Sequence, residues 1–288
     1  MPHYQILKLI SMNHFEWNWT QEGTKFYAQG WNPETPKAVV CLVHGFAEHS
    51  GRYAHVAERL GKEGFAVLAY DQFGHGKTEG PRGYSPSLEA TLDSVKILLD
   101  EADKRFQNLP KFLYGHSMGG NVMLNYLLRR KPAIKGAVAS APWLKLGFEP
   151  PAFKLFLAKV MNNIYPKFPE KADLDTNSVS RDKAEVKKYE NDPLVHNTAR
   201  AGTFFDTFNA AHWALSNAKE LQIPLLLIHG TDDKLIAHKG SEEFAANAPK
   251  NLLTFKSYPG FYHELHNEPA ADRERVLADV VGWLNSKL

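Results

Sequence analysis

Gly115-His116-Ser117-Met118-Gly119 decides how the rest of this chain is read. A short apolar run, Lys111-Phe112-Leu113-Tyr114, leads into it, and a helix-like run from Asn121 to Leu128 leads out. Strand, sharp turn, helix is the context in which G-x-S-x-G becomes a nucleophile elbow, with the serine at the apex of a strained turn. Small residues two places before and two after the serine let strand and helix pack closely around that turn. The five-residue pattern alone is a weak signal. Its flanks, and an acid and a histidine later in the chain, give it weight.

Outward from the elbow, apolar strands alternate with amphipathic helices. Ala38 to Val43, Phe65 to Tyr70, Gly136 to Ser140, Pro224 to His229 and Leu252 to Tyr258 read as strands. Tyr53 to Lys62, Ser87 to Phe106 and Asp272 to Leu284 read as helices. This alternation predicts an α/β fold whose mostly parallel central sheet is flanked by helices. Phe15 to Trp19 and Lys25 to Trp31, joined by Gln21-Glu22-Gly23, predict an antiparallel start to the sheet. Between Pro142 and Lys219 the alternation stops and no strand is predicted. That stretch holds Pro150-Pro151, an amphipathic run from Phe153 to Met161, and a loop through Pro166 and Pro169. A charged segment near Asp173 to Asp192 and an apolar run from Phe204 to Trp213 complete it. The expected organisation is a core of residues 1–142 and 220–288 with a helical cap, 143–219, inserted.

The 288 residues suit one large α/β domain with an insertion, and 43% hydrophobic residues allow a sizeable core. The net charge of +2 comes from dispersed Lys and Arg, which argues against nucleic acid as a partner. Arg129-Arg130-Lys131, the one dense basic run, falls where a helix should end and meets its dipole favourably. Cys41 is the only cysteine, lies in an apolar strand, and is expected to be an inert buried thiol. Met1 to Ile10 lack the features of a signal peptide, and no run is long enough to span a bilayer. The expectation is a cytoplasmic protein, peripheral to membranes at most.

An activated serine needs a base to take its proton and a carboxylate to orient that base. In α/β-hydrolases the order along the chain is Ser, Asp or Glu, then His, each on a loop after a strand. Ser117 is followed by Asp232-Asp233 after one strand and by His263 after the next. Either aspartate could instead cap the following turn. The oxyanion of a tetrahedral intermediate requires backbone donors. The N–H of Met118 and, from the loop His44-Gly45-Phe46-Ala47, the N–H of Phe46 are the candidates.

Three longer stretches carry a family resemblance. His44 to Tyr53 resembles the H-G-x-x-E-H-S-G-R-Y signature of the monoglyceride lipase branch of the α/β-hydrolases, a branch that includes lysophospholipase-like and serine aminopeptidase-like hydrolases. Asp71 to Gly80 is similar to its D-x-x-G-H-G-x-S-E-G loop, with Thr78 in place of Ser, and Gly115 to Gly120 matches G-H-S-M-G-G. Phe46 is bulkier than the residue common at its position. The resemblance implies Asp233 rather than Asp232 as the acid and His263 rather than His266 as the base. It also implies a polar head-group pocket of Glu48, Arg52, His116, Tyr189 and His266, although Glu48 and Arg52 could equally form an internal ion pair.

The resemblance further implies a serine hydrolase that cleaves monoacylglycerol to fatty acid and glycerol through an acyl-enzyme, with no metal or organic cofactor. Its substrate partner is then a small lipid ester. Phe148, Phe153, Leu155, Phe156, Leu157, Val160, Met161 and Ile164 in the cap could line an acyl channel, touch a membrane, or simply pack. The alternatives are a lysophospholipase, a general carboxylesterase, an aminoacyl-amide hydrolase using Glu48 to bind an amine, and a non-catalytic binding protein. The intact Ser117, Asp233 and His263 argue against the last.

Overall fold

The computed structural model describes residues 12–148, 151–172 and 174–288. Met1 to Ile10, Pro150, Asp173 and the side chains of Leu155 and Leu157, all drawn on above, lie outside the described residues.

β1 (Met12–Gln21) and β2 (Thr24–Pro33) form an antiparallel hairpin. Glu22 and Gly23 between them both have positive φ, 48° and 73°, the geometry a two-residue hairpin turn needs. β3 (Ala38–Val43), α1 (Ala54–Gly61) and β4 (Phe65–Tyr70) begin the alternating part. α2 (Leu88–Arg105), β5 (Lys111–His116), α3 (Ser117–Arg130) and β6 (Gly136–Ser140) continue it. Ser87 caps α2 by accepting from the Ala90 N–H at 3.1 Å. Arg129 and Arg130 occupy the last turn of α3, as the dipole argument expects.

Next come α4 (Ala152–Ile164), β7 (Pro169–Lys171), α5 (Lys183–Asn191), β8 (Thr198–Arg200) and α6 (Ala201–Ser216). The chain then returns to the sheet with β9 (Leu225–Gly230), α7 (His238–Asn247), β10 (Leu253–Tyr258) and α8 (Ala270–Asn285). The eight-stranded sheet runs β1-β2-β4-β3-β5-β6-β9-β10, parallel from β4 to β10.

The central strands are buried along their whole length, which is why they read as continuous apolar runs. Alternate side chains feed two cores. Val39, Cys41 and Val43 pack on one face with residues of α2, α3 and α7, and Ala38, Val40 and Leu42 on the other with residues of α1 and α8. Burial pushes the Cys41 thiol up to about 12, so it is unreactive as expected. Among the described residues, no helix is long and apolar enough to cross a membrane.

Two elements depart from the expectations. β7 and β8 pair as a short antiparallel sheet in the stretch where no strand was predicted. Each has three residues, mostly polar and exposed or half-buried, so neither carries a period-two signal. α7 was likewise not anticipated, because only a few of its residues, Phe244 and Ala245 among them, are buried.

Candidate active site

The elbow lies between β5 and α3. Ser117 has φ of 53°, a left-handed conformation that is unfavourable for a residue with a Cβ. Gly119 makes the turn sterically possible: a Cβ there would sit 2.2 Å from the carbonyl oxygens of both Val43 and His44. The first turn of α3 therefore presses against the end of β3. That brings the Met118 N–H, which lies in a helix turn that leaves its amides without intrahelical acceptors, towards the loop carrying Phe46.

The loop after β3 is held from behind. His44 donates from Nδ1 to the Gly45 carbonyl at 2.7 Å and accepts at Nε2 from the Gln72 N–H at 2.9 Å. Asp71 accepts from the Ser50 N–H and hydroxyl at 2.8 and 2.6 Å and from the Lys77 N–H at 2.7 Å. Thr78 uses its hydroxyl to bridge the Asp71 carbonyl (2.6 Å) and the Tyr27 N–H (3.0 Å), a task threonine and serine share.

Asp233 and His263 meet beyond the ends of β9 and β10. His263 Nδ1–H donates to Asp233 Oδ2 at 2.6 Å. The other oxygen, Oδ1, accepts from the N–H groups of Leu235 and Ile236, both at 2.9 Å. Asp232, by contrast, is exposed and accepts from the Thr231 hydroxyl at 3.0 Å. Burial pushes the Asp233 carboxyl up, but His263 and His229 outweigh it and hold it well below the usual carboxylate range. Burial disfavours imidazolium at His263, and the charge and hydrogen bond of Asp233 reverse that, raising its pKa above the ordinary 6.5.

Ser117, Met118, Phe46 and His263 line one cavity of about 460 Å³. Its polar end includes Glu48, His116, Tyr189 and Glu264; its apolar walls include Trp143, Leu146, Phe148, Phe153, Met161, Phe168 and Phe204. Glu48 is close to the nucleophile. A Cβ built on Gly45 would lie 2.8 Å from Glu48 Oε1, 3.1 Å from Ser117 Cβ and 3.3 Å from His116 Cδ2.

Two of the expected head-group residues stand behind this wall instead of lining it. Arg52 donates to Glu48 Oε2 at 2.7 Å and to both oxygens of Glu264, at 2.6 and 2.7 Å, and its guanidinium lies 4.7 Å from the centre of the Tyr189 ring. The ion pair considered from sequence is therefore present, extended by a second carboxylate. His266 is fully buried, stacked on Tyr53 at 4.6 Å and edge-on to His116 at 4.8 Å, with neither ring nitrogen hydrogen-bonded among the described residues. Burial drives the His266 pKa down to about 3 and holds His116 well below the ordinary histidine value, so both rings are neutral.

Residues 34–270 match the serine aminopeptidase S33 family of hydrolases. The chain belongs to that family. Among its relatives, the monoacylglycerol lipase of Mycolicibacterium smegmatis is 35% identical over 268 residues, 92% of this chain and 95% of the relative. An abhydrolase domain-containing protein of Dictyostelium discoideum is 34% identical over 263 residues, 90% of this chain but 27% of that much longer protein. The crystal structure of Paleococcus ferrophilus monoacylglycerol lipase superposes with a TM-score of 0.83 at 31% identity, covering 97% of this chain and all of that one (100%).

Sequence reasoning missed two residues that contact this candidate site. His229 Nε2–H is shared between Asp233 Oδ2 and the Ile236 carbonyl, each at 3.1 Å, while its Nδ1 accepts from the Ser241 hydroxyl at 2.7 Å. His229 ends an apolar strand, where it gives no signal of its own. Glu264 directly follows His263, and its partner Arg52 is 212 residues away in sequence, so only the fold unites them.

Proposed function

We propose that this chain is a serine hydrolase that cleaves monoacylglycerol through an acyl-enzyme, releasing fatty acid and glycerol. The observation that carries the reading is the single cavity shared by the strained Ser117, the Asp233-bound His263 and a buried polar lobe beside them. The two monoacylglycerol lipases at 35% and 31% identity support the substrate class.

Ser117 Oγ attacks the ester carbonyl as His263 Nε2 takes its proton. The N–H groups of Phe46 and Met118 hold the oxyanion, each worth on the order of 3 kcal/mol. His263 then protonates the departing glycerol oxygen, and water, activated by the same ring, releases the fatty acid. Asp233 keeps its charge throughout and stabilises the imidazolium. Glu48, His116 and Tyr189 receive the glycerol hydroxyls, with Arg52 and His266 positioning that wall.

Residues 143–219 act as a cap that closes the acyl end. Phe148, Phe153 and Phe168 line the cavity while 59%, 67% and 41% exposed, and Phe156 and Ile164 beside them are 68% and 75% exposed. That apolar rim is the surface by which the cap meets lipid aggregates.

The test is turnover by purified protein on monoacylglycerols of several chain lengths, a lysophospholipid, a short aryl ester and an aminoacyl arylamide, with Ser117→Ala as blank. Preference for monoacylglycerol is expected. If the lysophospholipid or the arylamide is turned over faster, the substrate class is wrong even though the nucleophile stands.

A further inference from the structure

Glu264 lines the cavity one residue after His263, and its fully buried carboxylate accepts from Arg52 twice and from Asn267 Nδ2 at 2.8 Å. Glu48 accepts from Arg52 at one oxygen, and from the Gly45 N–H (2.6 Å) and the Tyr53 hydroxyl (2.7 Å) at the other. Every partner of both carboxylates is a donor, so neither finds an acceptor for a carboxyl proton among them, and the Arg52 charge outweighs burial to hold the Glu264 carboxyl well below the usual range. Two carboxylates thus share one guanidinium, and one negative charge is left over.

Among the described residues, His263 next to it is already matched by the Asp233 carboxylate, and the other rings around it do not offset it. His116, His266 and His55 are held neutral by burial, and burial also pushes the Tyr53 and Tyr189 phenols up, away from ionisation. The basic residues on the cavity wall, Lys171 and Arg200, belong to the β7–β8 pair on the cap. Arg200 is turned to the carbonyls of Arg82 and Lys167, at 2.8 and 2.6 Å.

The geometry points to Glu264 as a specificity-determining residue that, with Glu48, gives the head-group lobe a surplus negative charge and so excludes anionic head groups. This rests on the monoacylglycerol reading above. Glycerol hydroxyls can donate to the carboxylates, whereas a phosphate brings only acceptors and like charge into a site of low dielectric. Arg52 gives three of its N–H groups to these carboxylates and stands behind the cavity wall, so it is not presented to a head group. Discrimination here is repulsive: the wrong ligand is met by an unpaired like charge.

The experiment compares wild type and Glu264→Gln on three esters of one acyl chain, each below its aggregation concentration. These are 1-acylglycerol, 1-acylglycerol 3-phosphate, and the ester of 3-amino-1,2-propanediol, whose head group is cationic. Wild-type kcat/KM is expected to fall by about 100-fold or more from the neutral to the anionic ester, and to be kept for the cationic one. Glu264→Gln should narrow the anionic penalty about tenfold, chiefly through KM.

Wild type that takes the phosphate ester within about threefold of the neutral one overturns the inference, whatever the variant does. Equal rejection of the cationic and anionic esters overturns it too, by showing that size decides. A folded Glu264→Gln with an unchanged ratio moves the discrimination elsewhere. Wild type active on a short aryl ester but inert on all three head groups removes the monoacylglycerol reading itself, a result distinct from the others.

Discussion

The cavity has two walls built on opposite principles. On the core side, Glu48, His116, Ser117, His263 and Glu264 are all buried, and apart from Ser117 and His116 each is fixed by several hydrogen bonds or charges. On the side of the proposed cap, Phe148 and Phe153 keep more than half of their surface in water. The core wall fixes where charge can develop, because its side chains spring from strand ends that cannot move without disturbing two cores. The cap wall offers area instead of geometry, so it can meet acyl chains of different length at small cost. Mutations of the reacting groups on the core wall should therefore act on kcat, those of its head-group carboxylates on which ester is accepted, and mutations on the cap on how substrate arrives.

The sharpest break of the core wall is Ser117→Ala. Turnover of a short aryl ester should fall by about 10⁵-fold or more while the melting temperature stays close to wild type. Removing a residue held at φ of 53° by one that tolerates it no better leaves the backbone strain in place. Next comes the aspartate pair. Asp233→Asn should cost about 10⁴-fold in kcat, because the amide can present an N–H to His263 and favour the wrong tautomer. Asp232→Asn, exposed and on the other side of the turn, should cost less than about twofold. Comparable losses in the two variants would move the acid.

His229 tests whether the second histidine on Asp233 has a role. Its N–H donates to the same oxygen that His263 uses, so it withdraws part of the charge available to the base. His229→Leu should lower kcat by about tenfold and shift the acidic limb of kcat/KM to higher pH. The sign follows from the chemistry: His263 works as the neutral ring, activity is lost as pH falls through its raised pKa, and a less neutralised Asp233 raises that pKa further. His229→Gln, which keeps an N–H donor, should recover part of both effects. An unmoved limb in His229→Leu would reduce His229 to packing.

Much of the core wall was legible in the sequence. Buried parallel strands must be apolar along their length, and the elbow glycines are dictated by contacts such as Gly119 against Val43 and His44. The candidate Ser117, the acid loop and His263 sit at strand ends, where a pattern reader finds them. What escaped was whatever depended on long-range assembly or weak local pattern. Arg52 could be paired with Glu48 from an i, i+4 spacing, but its second carboxylate, Glu264, is placed by a different part of the fold. His266 reads as a polar ligand and is instead packed among rings. β7 and β8 are too short and too polar to signal strands at all.

Buried histidines also make the core wall sensitive to acid. His44, His75, His116 and His266 are buried, and burial lowers the pKa of each below the 6.5 of an unfolded histidine. Below that value the unfolded chain binds protons that the folded one refuses, so stability falls as pH falls from about 6.5 towards 4. Each histidine contributes a slope of roughly 1 kcal/mol per pH unit. His263, with its pKa raised, works the other way: its contribution is present below 6.5 and lost as pH rises through the folded value. Urea midpoints measured from pH 7.5 down to 4.5 should drop steeply over this range. A flat profile down to pH 5 would mean that these rings are protonated in the fold.

The smallest effect belongs to the cap, and it separates the two walls most cleanly. Phe156 and Ile164 are 68% and 75% exposed and do not line the cavity, so neither touches substrate once it is bound. If the cap meets lipid aggregates, replacing both by serine removes apolar area from the contact and little else. Burying two such side chains in an interface is worth about 1–3 kcal/mol each. Phe156→Ser with Ile164→Ser should therefore weaken cosedimentation with neutral phospholipid vesicles and slow hydrolysis of vesicle-borne monoacylglycerol several-fold. The same protein should hydrolyse a monomeric short aryl ester at the wild-type rate, because the core wall is untouched. Equal loss on both substrates would show that the cap helix instead shapes the cavity from a distance. No loss on either would leave the exposed rim without a lipid role.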